Sequence, residues 1–306
     1  MKTNKFLCYS LALGFGVTMF TSCGSDDSGT APLPPIGGYN SADEVAAADL
    51  VAHWPLNGDG IEQISNTAPS TVVGASYEAG IKGDGVKLTT GYLQYPSIAA
   101  LTSTLNAVTI SAWVKVKNNQ ETTASVSTFL SLTRQNEWIG NINLYAETGR
   151  YKSVTDAGVV NDTIIFKGGF GSSESGVQIY ENAPKLEPWM ITDNETTPGK
   201  HVADANKVAG QWAQAVFTWD GTTNKLIIYS NGRKISNPAF EVRGTNTSII
   251  MDTPTSPIIG AFGNFATTGD LWNKPMSGNI DEIRIYKKAL SAADISALYE
   301  LEKAGR

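Results

Sequence analysis

The chain has 306 residues, 41% of them hydrophobic and 17% charged, with a formal net charge of −6. Seven Trp, eleven Tyr and ten Phe supply enough apolar mass for a substantial core, which excludes wholesale disorder. The acidic balance excludes a nucleic-acid partner, whose binders carry a basic footprint, and 30 glycines among so few charges point to a loop-rich, β-rich protein.

Lys2 and Lys5 precede a mostly apolar run from Phe6 to Phe20. That run has the length of a secretory h-region and is too short to cross a bilayer core of ~30 Å comfortably as a helix. It ends in Thr21-Ser22-Cys23. A small residue followed by Cys directly after an h-region resembles a bacterial lipobox, in which the thiol is acylated and becomes the new N-terminus. The alternative is an ordinary cleaved signal peptide with an incidental Cys. The only other cysteine, Cys8, lies inside the h-region, so Cys23 has no disulfide partner in the exported chain, which suits a lipidated residue. Residues 1–22 are therefore read as a lipoprotein signal peptide and Cys23 as the lipidation site that anchors the protein to a membrane. Gly24-Ser25-Asp26-Asp27 resembles the acidic surface-export signal of lipoproteins from some gut-commensal Gram-negative bacteria. It implies an outer-membrane anchor with the protein facing the cell exterior.

Residues 23–49 read as the acylated Cys and a flexible acidic tether. Pro32, Pro34, Pro35 and Gly37-Gly38 punctuate it, and no hydrophobic period starts before Leu50. A helical turn between Asp43 and Asp49 is the only order expected there. From Leu50 the pattern is β. In Val108–Val116 the residues Val108, Ile110, Ala112, Val114 and Val116 face one way, the mark of a half-buried antiparallel strand. Ala213, Ala215, Phe217 and Trp219 alternate likewise. Asp220-Gly221-Thr222 then turns the chain into Lys225–Tyr229, and Asn231-Gly232 is a strong hairpin signal before Arg233–Ile235. One helix is signalled at the end. Ser291 is its N-cap, Asp294 its third position, Leu290 and Ile295 the staple, and Ile295, Leu298 and Tyr299 an apolar stripe. Many short strands with one terminal helix imply a two-sheet sandwich, and 50–306 reads as a single domain.

Five segments, in this order, resemble the laminin-G-like jelly roll in its bacterial concanavalin A-like form: Leu50–Asp59, Gly80–Leu88, Val108–Val116, Gly210–Gly221, and Gly278–Tyr286 followed by Ala289-Leu-Ser. The resemblance implies an all-β fold, a two-sheet antiparallel jelly-roll sandwich with a short C-terminal helix, frequently with glycan binding. Fold does not fix activity. The 93 residues between Val116 and Gly210 exceed what this family usually needs for its middle strands. They contain Trp138, Tyr145, Tyr151, Tyr180, Trp189 and Gly168-Gly-Phe-Gly171, and insertions on a sandwich are surface loops that often carry binding function.

Enzymes on related sandwiches carry a Glu-x-Asp-x-Glu strand, and retaining chemistry needs two carboxyl groups ~5 Å apart. No such strand is found. Asp281 and Glu282 are adjacent and would point to opposite faces of a strand, while Asp193 and Glu195 sit in a loop-like stretch. His53 and His201 belong to no ligand cluster of catalytic-zinc type. The resemblance implies instead a structural calcium between Asp59 and Asp281. The alternative gives Asp59 a turn hydrogen bond and Asp281 backbone amides. Trp54, Trp113, Trp212 and Trp219 read as packing residues. Trp138, Trp189 and Trp272 fall in apparent loops and are the candidate ligand-binding aromatics, since the C–H face of a sugar stacks on such rings.

The reading of the whole is a non-catalytic, lectin-like cell-surface lipoprotein that captures a neutral polysaccharide or oligosaccharide. A structural or adhesion module bound to an outer-membrane protein partner is the second reading, and a glycoside hydrolase or lyase the third. Charge placement bears on the ligand. Residues 24–81 hold eight acidic residues and no Lys or Arg, whereas 82–306 hold 21 of each sign. A body neutral in sum suits neutral sugars and argues against dependence on polyanions.

Overall fold

The computed structural model describes residues 33–119, 126–135, 137–149, 153–155, 158–172, 178–182, 207–236, 238, 241–245, 248–266 and 269–306. Fifteen strands are described: β1 (Leu50–Trp54), β2 (Thr71–Ala79), β3 (Asp84–Gln94), β4 (Ala107–Lys115), β5 (Val126–Arg134), β6 (Glu137–Glu147), β7 (Ser153–Thr155), β8 (Gly158–Val160), β9 (Ile165–Ser172), β10 (Gln178–Asn182), β11 (Ala213–Asp220), β12 (Lys225–Ser230), β13 (Arg233–Lys234), β14 (Pro254–Ile259) and β15 (Met276–Tyr286). Helix α1 (Ala292–Lys303) follows.

The strands pair in the order β10-β9-β6-β5-β14-β3-β15-β4-β11-β12-β13, with β1 added beside β15, β2 beside β3, and β7–β8 as a separate ribbon. Every named pairing is antiparallel. The path folds back on itself at β3. Leu93 and Gln94 pair with Ile259 and Ile258 of β14, whereas Val86, Lys87 and Leu88 pair with β15. Between these stretches the register breaks and Thr90 takes a left-handed φ of 47°, the kind of bend by which a strand passes from one sheet to the other. The result is a jelly-roll sandwich with a front layer (β10, β9, β6, β5, β14) over a back layer (β15, β4, β11, β12, β13).

The two predicted alternations set the core. Val108, Ile110, Ala112, Val114 and Val116 join Ala213, Ala215, Phe217 and Trp219 in one apolar cluster with Leu130, Leu132, Ile142, Leu144, Phe166 and Phe170 of the front layer. Phe170 and Trp219 meet across the layers at 4.7 Å between ring centroids. The sheets approach so closely that a Cβ on Gly168 would sit 2.5 Å from Phe217 Cδ2 and 2.7 Å from its Cβ and Cγ. Glycine is required there by contact rather than by backbone angle. Gly168→Ala is expected to cost about 1–3 kcal/mol, read as a lower urea midpoint at unchanged m-value.

Helix α1 lies on the outer face of the back layer. Ser291 Oγ accepts from Asp294 N at 3.1 Å, as the N-cap signal requires. Ile295, Leu298 and Leu301 pack on Val216, Tyr229, Tyr286 and Leu290, and Tyr299 stacks on Trp113 at 5.3 Å with 15° between planes. Beneath the helix lies an ionic group centred on the buried Arg284, Glu282 and Glu302. Glu302 accepts from Arg284 Nε at 2.9 Å, Trp113 Nε1 at 2.7 Å and Gln214 Nε2 at 3.1 Å. Arg284 Nη2 also reaches Glu282 at 2.7 Å and Asp43 at 2.8 Å, and His53 Nε2 lies 3.0 Å from Glu282. Complete burial pushes the Glu302 carboxyl up to about 7 against the pull of Arg284. Burial opposes the Glu282 charge as well, yet the His53 hydrogen bond and Arg284 together leave that carboxyl below its ordinary range.

The N-terminal boundary differs from the expected one. The compact unit begins at Pro34 rather than Leu50. Ile36 and Tyr39 form a bridge, two 3-10 turns run over Ala42–Glu44 and Ala47–Asp49, and Ala42 and Val45 are buried in the cluster under α1. Ala42 N donates to Arg306 O at 3.2 Å, and the Arg306 guanidinium donates to Asn40 O and Pro34 O, each at 3.0 Å. Short turns that bury two small apolar side chains produce no hydrophobic period, so the pattern of residues 34–49 reads as a tether although they pack. Cys23 and the signal-like segment lie outside the described residues.

Candidate functional site

In β6 the inward residues Ile142, Leu144 and Ala146 belong to the core, so Asn141, Asn143 and Tyr145 point out of the front layer. Register extends this row sideways. Ser131 of β5 stands opposite Asn143, and Thr128 opposite Tyr145. On the other side, Gly169 of β9 stands opposite Asn143, and Lys167 opposite Tyr145. The outer face of the front layer is thus a grid of amides, hydroxyls and glycines. Its charges are paired in place: Lys167 Nζ with Glu147 at 3.1 Å, and Arg134 Nη2 with Asp252.

An aromatic cap stands over one end of this grid. Trp138, Tyr145, Phe262 and Trp272 meet edge to face: Trp138–Trp272 at 5.6 Å, Trp138–Phe262 and Tyr145–Phe262 at 5.4 Å, Phe262–Trp272 at 6.0 Å. Phe262 and Tyr145 are buried, while Trp138 and Trp272 are only partly so and keep ring surface accessible. Two of the three tryptophans singled out as ligand candidates therefore come together, although they are far apart in sequence. Trp138 lies on strand β6, not in a loop as its neighbours suggested. Trp189 lies outside the described residues.

Several polar atoms on the grid are buried with no hydrogen-bond partner among the described residues: Ser131 Oγ, Asn143 Oδ1 and Arg134 Nη1. Asn143 spends its amide nitrogen on Trp138 O at 3.2 Å, which ties the grid to the cap. The unpartnered atoms gather at two glycines. A Cβ on Gly140 would sit 3.0 Å from Ser131 Oγ and 3.1 Å from Asn143 Oδ1, and one on Gly171 would run into Arg134 Nη1. Buried polar atoms left unpaired cost about 1–3 kcal/mol each, which sets this cluster apart from the rest of the layer. Asn141 differs: it binds Thr133 O, Asp252 O and Asp252 N and serves to hold the 252 segment.

The remaining candidates separate. Asp59 Oδ1 accepts from Ile61 N at 3.0 Å, a local turn. Asp281 is buried, and its oxygens accept from Ile81 N, Lys82 N and Glu282 N at 2.7, 3.1 and 2.9 Å. Burial pushes its carboxyl up to about 7 despite those amides. Among the described residues no three of His, Cys, Asp and Glu converge as metal ligands. Both Asp281 oxygens and Asp59 Oδ1 accept from backbone amides, which is the bonding of the alternative to calcium. Calcium added to chelator-treated protein is expected to leave the melting temperature unchanged. Asp281 and Glu282 do not form an acid–nucleophile pair: Glu282 sits in a left-handed bulge (φ 47°) that turns it onto Arg284 and His53. Asp193, Glu195 and His201 lie outside the described residues.

The grid was partly readable. Asn141-Ile-Asn-Leu-Tyr145 is a period-2 pattern whose apolar half marks the inner face, so its polar half marks an outer one. Nothing in the sequence places Phe262 or Gly171 beside it.

The family model of the concanavalin A-like lectin/glucanases superfamily matches residues 154–296. No curated protein matches the chain. Among solved structures, the binding domain of Paraclostridial Mosquitocidal Protein 1 is similar with a TM-score of 0.54 and 14% identity, over 82% of this chain and 52% of that one. The botulinum neurotoxin serotype D ligand-binding domain in complex with N-acetylneuraminic acid has a TM-score of 0.51 and 12% identity, over 84% and 52%. Domain 4 of an extracellular arabinanase from Geobacillus stearothermophilus, in complex with arabinotriose, has a TM-score of 0.46 and 22% identity, over 82% and 98%. The chain spans about half the length of the two toxin domains. The family match covers residues 154–296, a little under half of the chain, and with the two-layer fold it makes the sandwich similar to the laminin-G-like jelly rolls of the concanavalin A-like lectin/glucanase superfamily.

Proposed function

We propose that the domain is a non-catalytic carbohydrate-binding module whose ligand lies on the outer face of the front layer. The observation that supports this most is the meeting of the half-buried Trp138 and Trp272 rings with a row of amide and hydroxyl side chains in which Ser131 Oγ, Asn143 Oδ1 and Arg134 Nη1 have no hydrogen-bond partner among the described residues. Sugars present apolar C–H faces and a rim of hydroxyls. Aromatic rings take the first and neutral amide and hydroxyl groups the second. The neurotoxin domain of the same fold, solved with N-acetylneuraminic acid, is compatible with such use of the sandwich. Affinity electrophoresis through gels containing arabinan, xylan, galactomannan or mixed-linkage glucan tests the reading. Retardation by at least one of them is expected. Retardation by none would reject it, and release of reducing ends would transfer the domain to the hydrolases.

We further propose that this module is displayed by an acyl anchor on Cys23, on the outer membrane and facing outward, where it assists polysaccharide capture. The h-region followed directly by Ser22-Cys23 supports that placement. Cys23→Ala is expected to shift the protein from the membrane fraction to the soluble fraction and to abolish labelling by a fatty-acid analogue. A single acyl chain holds only marginally, so the stable retention expected of the natural protein implies more than one.

A further inference from the structure

A second surface feature shares Val126 with the aromatic cap but has a different chemistry. A cavity of about 690 Å³ is lined by the middle of β3, the start of β15 and the chain leaving β4. Four lysines line it, Lys87, Lys115, Lys117 and Lys274, against a single carboxylate, Glu78. The strand register explains the crowding. Lys115 stands opposite Asn279, and Asn279 opposite Lys87, so the three residues form one row across β4, β15 and β3. Neighbouring strands are ~4.8 Å apart, which places the two lysine-bearing strands within ~10 Å of each other.

Glu78 cannot neutralise this row. Its two oxygens are already taken, by Lys87 Nζ at 3.0 Å and Asn279 Nδ2 at 2.9 Å. Lys115, Lys117 and Lys274 have no carboxylate within salt-bridge distance among the described residues. Like charges brought to one concave wall repel, and a concavity lined by one sign of charge concentrates counter-ions of the other. The net neutrality of residues 82–306 conceals this, because a sum over the whole surface says nothing about which charges share a cavity.

We infer that the cavity is a second saccharide subsite that takes acidic sugars, uronates or sulfated residues, through their anionic groups. The inference rests on the carbohydrate reading above and adds the charge class of the glycan. Val126 lines the cavity and also belongs to the aromatic cluster, so the two features approach each other at the start of β5.

Two matched pairs of polymers test this with the full chain: methyl-esterified against de-esterified pectin, which differ in free carboxylate, and dextran against dextran sulfate. The acidic member of at least one pair is expected to bind at least tenfold more tightly, and raising the ionic strength from ~0.05 M to ~0.5 M should remove that advantage. Preference in the pectin pair assigns a carboxylate, and preference in the dextran pair a sulfate. The triple variant Lys115→Gln, Lys117→Gln, Lys274→Gln should lose the preference. A control with the same charge change on exposed lysines outside the cavity, Lys225→Gln, Lys287→Gln, Lys303→Gln, should keep it. Equal binding of acidic and neutral members in both pairs, or equal loss in the two triple variants, overturns the inference. The two proposals fail separately. Retained binding to neutral polymers without any acid preference removes the cavity alone, while acid-dependent binding without neutral binding removes the aromatic face and leaves the cavity.

Discussion

Replacing Glu302 by alanine is expected to destabilise the protein by about 3–5 kcal/mol. The carboxylate sits at the last turn of α1, where the helix dipole disfavours negative charge, so its position needs another justification. Arg284 Nε, Trp113 Nε1 and Gln214 Nε2 provide it, because all three donate to Glu302 and none has solvent access. Alanine leaves three buried donors without their acceptor and removes the link between helix and sheet. For a domain of this size the loss corresponds to roughly 10 °C in melting temperature. The double variant Arg284→Met, Glu302→Leu is expected to recover only part of it, because Trp113 Nε1 and Gln214 Nε2 still lack an acceptor and Glu282 loses its Arg284 partner. If the single variant unfolds at the same denaturant concentration as the natural protein, the group is not a lock. The conservative variant Glu302→Gln tests the electrostatics separately. Burial raises the Glu302 pKa in the folded state to about 7, above its unfolded value of ~4.3. The natural protein therefore holds the stability due to that proton in full below ~4.3 and loses it as pH rises through about 7, whereas Glu302→Gln should show a shallower dependence across that window, with the share due to Asp281 remaining.

Trp272→Ala should weaken binding of the polysaccharide identified by electrophoresis about tenfold or more, equivalent to ~1.4 kcal/mol, with little change in unfolding midpoint. Trp272 belongs to the small satellite cluster with Val126, Tyr145 and Phe262 and not to the main core, and its ring is only partly buried. Truncation therefore removes a stacking surface without opening a large cavity. Trp272→Phe should recover part of the affinity, and Asn143→Ala should weaken binding further in the Trp272→Ala background, since the two act on different parts of the sugar. A stable Trp272→Ala protein with unchanged affinity for every retarding polymer would place the ligand elsewhere. Trp219→Ala offers the contrast: that ring packs on Phe170 between the layers, so its loss should appear as about 3–5 kcal/mol of stability.

Much of this architecture was legible because it follows from period-2 burial. The inward faces of β4 and β11, the hairpin at Asn231-Gly232 and the N-cap at Ser291 are local consequences of pleat, turn and capping chemistry, and each is found where the pattern placed it. What stayed hidden depends on partners far along the chain. Arg284 alternates with Ile283 and Ile285 and so reads as a solvent-facing charge, yet α1 and Asp43 cover it. Glu302, between Leu301 and Lys303, reads as helix surface for the same reason. The bulge at Glu282 breaks the alternation by which Asp281 and Glu282 were set on opposite faces, and no residue type announces it. At the candidate site the tryptophans were visible as a resource, but their meeting depends on how the loop after β14 returns over β6. The lysine cavity was hidden by arithmetic, because its charges are balanced elsewhere on the surface.

The clamp of Arg306 on Pro34 and Asn40 has a consequence for how the module is presented. It pins the two ends of the compact unit side by side on the outer face of the back layer, under and beside α1. The grid and its aromatic cap lie on the outer face of the other layer, so the thickness of the sandwich separates the point of attachment from the face offered to a ligand. Both ends of the compact unit leave from the helix-bearing rear surface, on the side of the sandwich away from the grid. Orientation on a surface is thus set by where the chain begins and ends rather than by any contact the front face would have to give up.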